Sequence, residues 1–336
     1  RLCANRTFCA RTRTEQAQFA MKSFLVLLGA VLIAIQVGGT QAAGNDDGEL
    51  NPSKVALLPK ECGVTKLGKT GNATKSLAFE FPWIALVRFN KTRRPATCLG
   101  SLINRRYVLS VIGCIRKTKK DPDYVRLGEQ LEGSDRDCNV FTDKATGKQV
   151  QECAGPVLDV LIESYVFHPE FDQPMYTNDL ALIRMAHEVE YNDYIRPICL
   201  PTTPELRANV PRFLVMPAWE LDMNAPNHYV GTLEKYFVEN IDLDTCQRQY
   251  ENAGFTPEFD DGENRFCAGQ QGPNYVCSRV PGSPIGTEVD IDGVQRHVEF
   301  AMAKFAPLNC TLRQTVPMIS MRITKYMKWI TDNLEA

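Results

Sequence analysis

Histidine is scarce in this chain, at 4 in 336 residues, and no Cys-x-x-Cys pair occurs. The sequence therefore lacks the thiolate and imidazole spacing from which a tetrahedral zinc site is built. No apolar run is long enough for a bilayer. The longest, Ser23 to Val37, is about 15 residues, against the roughly 20 that a spanning helix needs. Internal repeats and low-complexity tracts are missing too, which argues against a solenoid or a linker-rich chain. Strong net charge is also lacking: 38 Lys and Arg face 40 Asp and Glu. That balance leaves no basic footprint for nucleic acid.

What is present begins with a leader. The first methionine is Met21, and Met21-Lys22, the apolar run and the small residues before Gly44 compose a secretory signal peptide over 21–43. Residues 1–20 are expected to lie upstream of the true start. Removing 1–43 takes away Arg1, Arg6, Arg11, Arg13, Lys22 and Glu15, so 33 basic and 39 acidic residues remain. Two of the 12 cysteines, Cys3 and Cys9, leave with the leader. The other ten form an even set behind a signal peptide, which reads as disulfides made in an oxidising compartment. Asn72-Ala73-Thr74 and Asn90-Lys91-Thr92 are glycosylation acceptors on such a surface.

Gly44 to Lys60 is polar with little periodicity and reads as a flexible arm. From Phe81 the texture changes to short β-rich runs (WIALVRF, SLINRRYVLSVI, YVRLG, VLDVLIESYVF, LALIRM, TLEKYFVENI) divided by polar turns. Many short strands of this kind indicate an all-β sandwich or barrel. The end differs: in ITKYMKWITDNL the apolar residues 323, 326, 327, 330 and 334 recur at helical spacing.

The ordered segments EFPWIALV, GSLINRRYVLS, NDLALIRM, YIRPICLP and TKYMKWI, with the spaced cysteines, resemble the chymotrypsin-like serine proteases. YIRPICLP, the ALLPKECG arm and the Cys138/Cys153 pair are most similar to the arthropod clip-domain group, although the six-cysteine clip module itself is absent. The resemblance runs from about Lys60 to Ala336 and implies two six-stranded β-barrels closed by a C-terminal helix. It divides the chain into an arm at 44–69 and a protease-like domain at 70–336. It also implies the pairs Cys62–Cys199, Cys98–Cys114, Cys138–Cys153, Cys246–Cys267 and Cys277–Cys310.

Such an enzyme attacks with a serine, whose proton passes to a histidine oriented by a buried aspartate. In this alignment the histidine position is Gly113, the aspartate Asp179 and the serine Pro281. Proline offers neither the hydroxyl nor the N–H of an oxyanion hole. Arg279 stands where the hole's glycine belongs. The nearest hydroxyl, Ser283, is two residues late, and His168 corresponds to a solvated surface-loop histidine. In the specificity pocket, Tyr275 replaces the acidic residue, Met318 a glycine, and Lys304-Phe305-Ala306 a Ser-Trp-Gly stretch.

The activation junction falls at Lys69–Thr70, and Val280 replaces the aspartate that the freed terminus would meet. Losing one partner of such a buried pair costs roughly 3–5 kcal/mol, whereas losing both can be nearly neutral. The acidic loop holding Glu129 and Glu132 reads as solvated, although by resemblance it could hold calcium.

The resemblance thus implies a secreted, extracellular (haemolymph) pseudoenzyme with no cofactor, no metal and no membrane or nucleic-acid partner. Its partners would be the proteases, prophenoloxidase and homologues of a melanisation cascade. An active serine endopeptidase and a microbial-surface recognition protein are the alternatives.

Overall fold

A computed structural model of the chain describes residues 48–65, 75–88, 98–116, 121–131, 134, 136–142, 145–172, 176–221, 229–255, 262–270, 281–305 and 316–336. Structural statements below concern these residues. The strands come first because β-branched and aromatic side chains recur in short runs. Barrel one uses β1 (Ile84–Arg88), β2 (Cys98–Leu102), β3 (Tyr107–Ser110), β4 (Tyr124–Leu127), β7 (Leu158–Phe167) and β8 (Ala181–Met185). Its closed order is β1-β2-β3-β8-β7-β4. A small two-stranded sheet, β5 (Cys138–Thr142) with β6 (Gln149–Cys153), projects between β4 and β7 in the chain.

Barrel two uses β9 (Phe213–Leu221), β10 (Tyr229–Ile241), β11 (Arg265–Gln270), β12 (Pro284–Ile291), β13 (Val294–Phe305) and β14 (Met318–Arg322). It closes in the order β10-β11-β14-β13-β12-β9. All its pairings are antiparallel. The β12–β13 hairpin turns through Asp292 (φ 54°) and Gly293 (φ 79°). Two consecutive left-handed residues match the twist of the flanking strands, and Asp-Gly is a pair that tolerates them.

Strands β1, β2 and β3 are buried along almost their whole length rather than alternately. One face of each fills the barrel while the other is covered, so the sequence runs apolar without a period of two. Trp83, Trp219, Tyr107, Phe266 and Phe300 are among the largest fully buried side chains. Helix α3 (Leu243–Asn252) is capped by Asp242, whose carboxylate accepts from Thr245 N–H at 2.8 Å, and a disulfide ties Cys246 to Cys267 on β11. The C-terminal helix α4 (Met327–Asp332) buries Met327, Ile330 and Thr331, the face its apolar spacing implies.

The arm is not loose. Leu50 is buried, and Asn51 caps a single helical turn, α1 (Pro52–Val55), that opens on proline. Lys54 Nζ donates to Leu334 O at 2.6 Å, Gly63 N–H to Pro197 O at 2.8 Å, and His297 N–H to Gly63 O at 2.8 Å. The expectation of a flexible arm from Gly44 to Lys60 is therefore corrected over residues 48–60. A cap, a proline and the Cys62–Cys199 bond order it where periodicity gives no sign.

Further disulfides join Cys98–Cys114 and Cys138–Cys153. With the two already given, these are four of the five pairs the resemblance implies. Cys277 and Cys310 lie outside the described residues.

Candidate functional site

The seam between the barrels is assembled from backbone contacts. The turn at Pro281–Ser283 is held from both sides. Leu99 N–H on β2 donates to Pro281 O at 3.0 Å, and Gly282 N–H donates to Ala303 O on β13 at 2.7 Å. Gly282 sits at φ 89°, and a Cβ there would come within 1.9 Å of Leu99 O, so only glycine fits this crossing. Pro281 itself is half-buried. Ser283 is fully buried, and its hydroxyl donates to Pro217 O. That hydroxyl is committed inward and does not face a cleft.

Gly113 lies in the one-turn helix α2 (Ile112–Ile115), and its N–H donates to Asp179 Oδ1 at 2.6 Å. The fold thus brings together the residues assigned to the base and orienting positions. The space for a side chain at 113 is taken, however. A Cβ there would meet Tyr176 Cε1 at 2.7 Å, Cδ1 at 2.8 Å and Asp179 Oδ2 at 3.1 Å.

Tyr176 (φ 51°) and Asn178 (φ 49°) both adopt left-handed backbone, an arrangement bulky residues rarely take. Phe171 packs edge-on against Tyr176 with centroids 6.3 Å apart, and Tyr326 Oη donates to Asn178 Oδ1 at 2.9 Å. Tyr176 is the functional-site residue that sequence reasoning missed. Its signal is indirect: a glycine where the alignment calls for an imidazole leaves a space for a neighbouring ring.

Three of the four histidines lie among the described residues. His297 is buried against Trp83, with centroids 4.9 Å apart, and burial pushes its pKa down to about 3. His187 is exposed, its Nδ1 3.1 Å from Glu188 O. His228 lies outside the described residues. His168, expected in solvent, is half-buried between Tyr326 and Trp329, at 5.6 and 5.1 Å, and its pKa is lowered by burial. The C-terminal helix segment supplies the aromatic cover that the loop sequence does not reveal.

Met318 on β14 is buried and pairs with Ala268. Lys304 is half-buried at an irregularity in the β13–β14 pairing between Ala303 and Phe305. Tyr275, Arg279, Val280, Ala306, Lys69, Thr70, Asn72 and Asn90 lie outside the described residues, as does Glu132.

Glu129 is buried rather than solvated, which corrects the reading of its loop. Burial, with Asp137 beside it, raises its carboxyl to about 7. Among the described residues no group of three or more His, Cys, Asp or Glu could hold a metal ion.

Deeper in the seam, Ser101 Oγ on β2 donates to Glu299 Oε2 on β13 at 2.6 Å, both side chains being fully buried. Burial raises the Glu299 carboxyl to about 8, and the bond from Ser101 offsets part of that rise. Beside it, Cys199 N–H donates to His297 O at 3.1 Å and Glu299 N–H to Cys199 O at 2.9 Å.

Residues 71–330 match the family described as Trypsin. The serine protease ea of Drosophila melanogaster is 30% identical over 288 residues, covering 83% of this chain and 71% of that one. Melanization protease 1 of the same organism is 28% identical over 302 residues, covering 84% and 70%. Among solved structures, the Drosophila Grass clip serine protease of the Toll pathway superposes with a TM-score of 0.70 at 22% identity. That match covers 84% of this chain and 78% of the other.

Proposed function

The chain belongs to the trypsin family, and we propose that it acts there by binding rather than by cutting peptide bonds. The carrying observation is the filled space at Gly113, where the Tyr176 ring stands in the volume a catalytic imidazole needs. Without that base no serine is activated. Pro281 brings neither a hydroxyl nor an N–H to the turn, and the Ser283 hydroxyl is already bonded to Pro217 O. Asp179 keeps a structural task, accepting the Gly113 N–H. In this reading the triad positions Gly113, Asp179 and Pro281 are degenerate, and the cleft is a contact surface edged by Lys304.

The protein is proposed to be secreted and to regulate an extracellular protease cascade of the melanisation type. The relative named Melanization protease 1 supports this assignment. The partners would be cascade proteases or prophenoloxidase. The test is prophenoloxidase activation by its natural activating protease, with and without the purified secreted chain. The expected result is a change in phenoloxidase activity together with no labelling of the chain by a fluorophosphonate probe. Labelling at Ser283, or anywhere in the cleft, would overturn the non-enzymatic reading. Unchanged phenoloxidase activity would overturn the cascade assignment.

A further inference from the structure

Among the described residues, the four disulfides differ in their exposure. Cys98–Cys114 and Cys246–Cys267 are buried at both ends, and Cys62–Cys199 is buried at Cys199. Cys138 and Cys153 are both only half-buried.

Their places in the fold differ as well. Cys98 and Cys267 lie on the barrel strands β2 and β11, and Cys199 bridges to Val298 of β13. Cys138 stands directly opposite Cys153 at the foot of β5–β6, a two-stranded sheet of its own. Beyond that foot, Val140 to Thr142 and Ala145 to Gln151 are all exposed. An isolated two-stranded ribbon is marginal in water, so the cross-link is what keeps this one formed.

The same foot supports a joint of the main fold. Asn139 exchanges two 2.9 Å bonds with the Ala78 backbone. Asp137, whose carbonyl accepts from Ala154 N–H at 2.7 Å, receives Gln130 N–H at 2.6 Å and Leu131 N–H at 3.1 Å on its carboxylate. The Gln130 carbonyl then accepts from Trp219 Nε1–H on β9 at 3.0 Å and from Leu233 N–H on β10 at 2.9 Å. Its side-chain amide donates to Ser76 O at 3.1 Å. Gln130 thus ties the hairpin foot to barrel two and to the 76–78 stretch, which follows the expected junction at Lys69–Thr70.

From this contrast we propose that Cys138–Cys153 is a redox switch, opened by a dithiol reductant of the thioredoxin class while the other three disulfides stay closed. A thiolate of the reductant attacks one sulfur, forms a mixed disulfide with it and releases the other as a thiolate. The second thiol of the reductant then displaces the sulfur held in the mixed disulfide. Two electrons pass to the protein: the reductant leaves as a disulfide, and Cys138 and Cys153 each take a proton as free thiols. With the foot open the ribbon frays, Asp137 and Asn139 lose their fixed positions, and the Gln130 joint loosens with the 76–78 stretch. The switch acts on the seam between the barrels, whether the cleft cuts or binds.

Dithiothreitol serves as the probe for such a dithiol. It is titrated onto the full secreted chain without denaturant, the thiols formed are trapped with N-ethylmaleimide, and the labelled peptides are mapped by mass spectrometry. Cys138 and Cys153 should be trapped at a reductant concentration about tenfold or more below the one that opens the other three. Hydrogen exchange on the chain reduced at that concentration should speed up at 76–78 and 130–131, while β8 keeps its protection. Release of Cys62–Cys199, Cys98–Cys114 or Cys246–Cys267 at the same concentration overturns the proposal. So does a selectively opened hairpin whose 76–78 and 130–131 amides exchange as slowly as before.

Discussion

Two stretches of the same seam between the barrels have diverged in opposite ways. In its depth, Ser101 meets Glu299, and the 197–199 segment is laced to β13 by backbone bonds that also carry the arm through Gly63. At its rim, Gly113, Pro281 and the Tyr176 ring stand at the positions that the proposed reading assigns to the family's chemistry. The contrast teaches that a double barrel keeps its fold through one set of residues and its chemistry through another. The first set is sealed from solvent and intolerant of change. On the proposed reading, the second can be dismantled without opening the seam.

The sharpest way to break this comparison is to rebuild the rim. Gly113→His drives a side chain into the Tyr176 ring and should cost up to about 3 kcal/mol, as overpacking does. Urea denaturation would read that loss. Adding Tyr176→Ala should return most of it, because the contact at 2.7 Å is with the ring rather than with backbone. Neither variant should hydrolyse a peptide substrate, since Pro281 still offers no nucleophile. Full stability in Gly113→His alone would mean that Tyr176 moves freely and does not fill the site.

How far each stretch could be read from the residues follows from the physics of its signal. The runs WIALVRF, RYVLS and LALIRM announce β1, β3 and β8 because their burial is dense and local. The C-terminal helix is legible from spacing alone. Tyr176 was not, because its placement depends on left-handed backbone at 176 and 178, which no composition rule anticipates for tyrosine. The docking of 48–60 was hidden for a related reason: its partners, such as Leu334 and Asn104, are distant in the chain. Nothing in the run VEFAMA marks Glu299, yet it is fully buried and its Oε1 has no partner among the described residues. A single charged letter does not tell which face of a strand is sealed.

The sealed depth makes its own prediction, through two residues on one face of β13. Glu299 has its folded pKa raised from 4.5 to about 8, so its contribution is complete below pH 4.5 and is lost as pH rises toward 8. His297 has its folded pKa lowered from 6.5 to about 3, so its contribution is complete above pH 6.5 and is lost as pH falls toward 3. Between pH 4.5 and 6.5 the two slopes oppose each other. This pair therefore yields a plateau, with about 2 kcal/mol lost toward pH 8 and about 2 kcal/mol toward pH 3. Glu299→Gln should abolish the alkaline fall and, with the opposing slope gone, let the acid fall begin at pH 6.5 rather than 4.5. Urea midpoints at pH 6 and pH 8 would check this, and an unchanged alkaline limb in that variant would show that the seam is wet.

The smallest effect separates the two stretches most finely, because Ser283 lies where they meet. Its hydroxyl is two residues beyond Pro281, yet it is fully buried and bonded to Pro217 O. If Ser283 belongs to the sealed depth, Ser283→Ala leaves that carbonyl without its donor and lowers stability by about 1 kcal/mol. Any effect of the protein on prophenoloxidase activation should then stay at the parent level, because the removed group faces no partner. If Ser283 belongs to a working rim, the same change should spare stability and abolish the effect. Denaturation and the activation assay run on one preparation distinguish these outcomes, since the two assignments predict opposite patterns in the same pair of measurements.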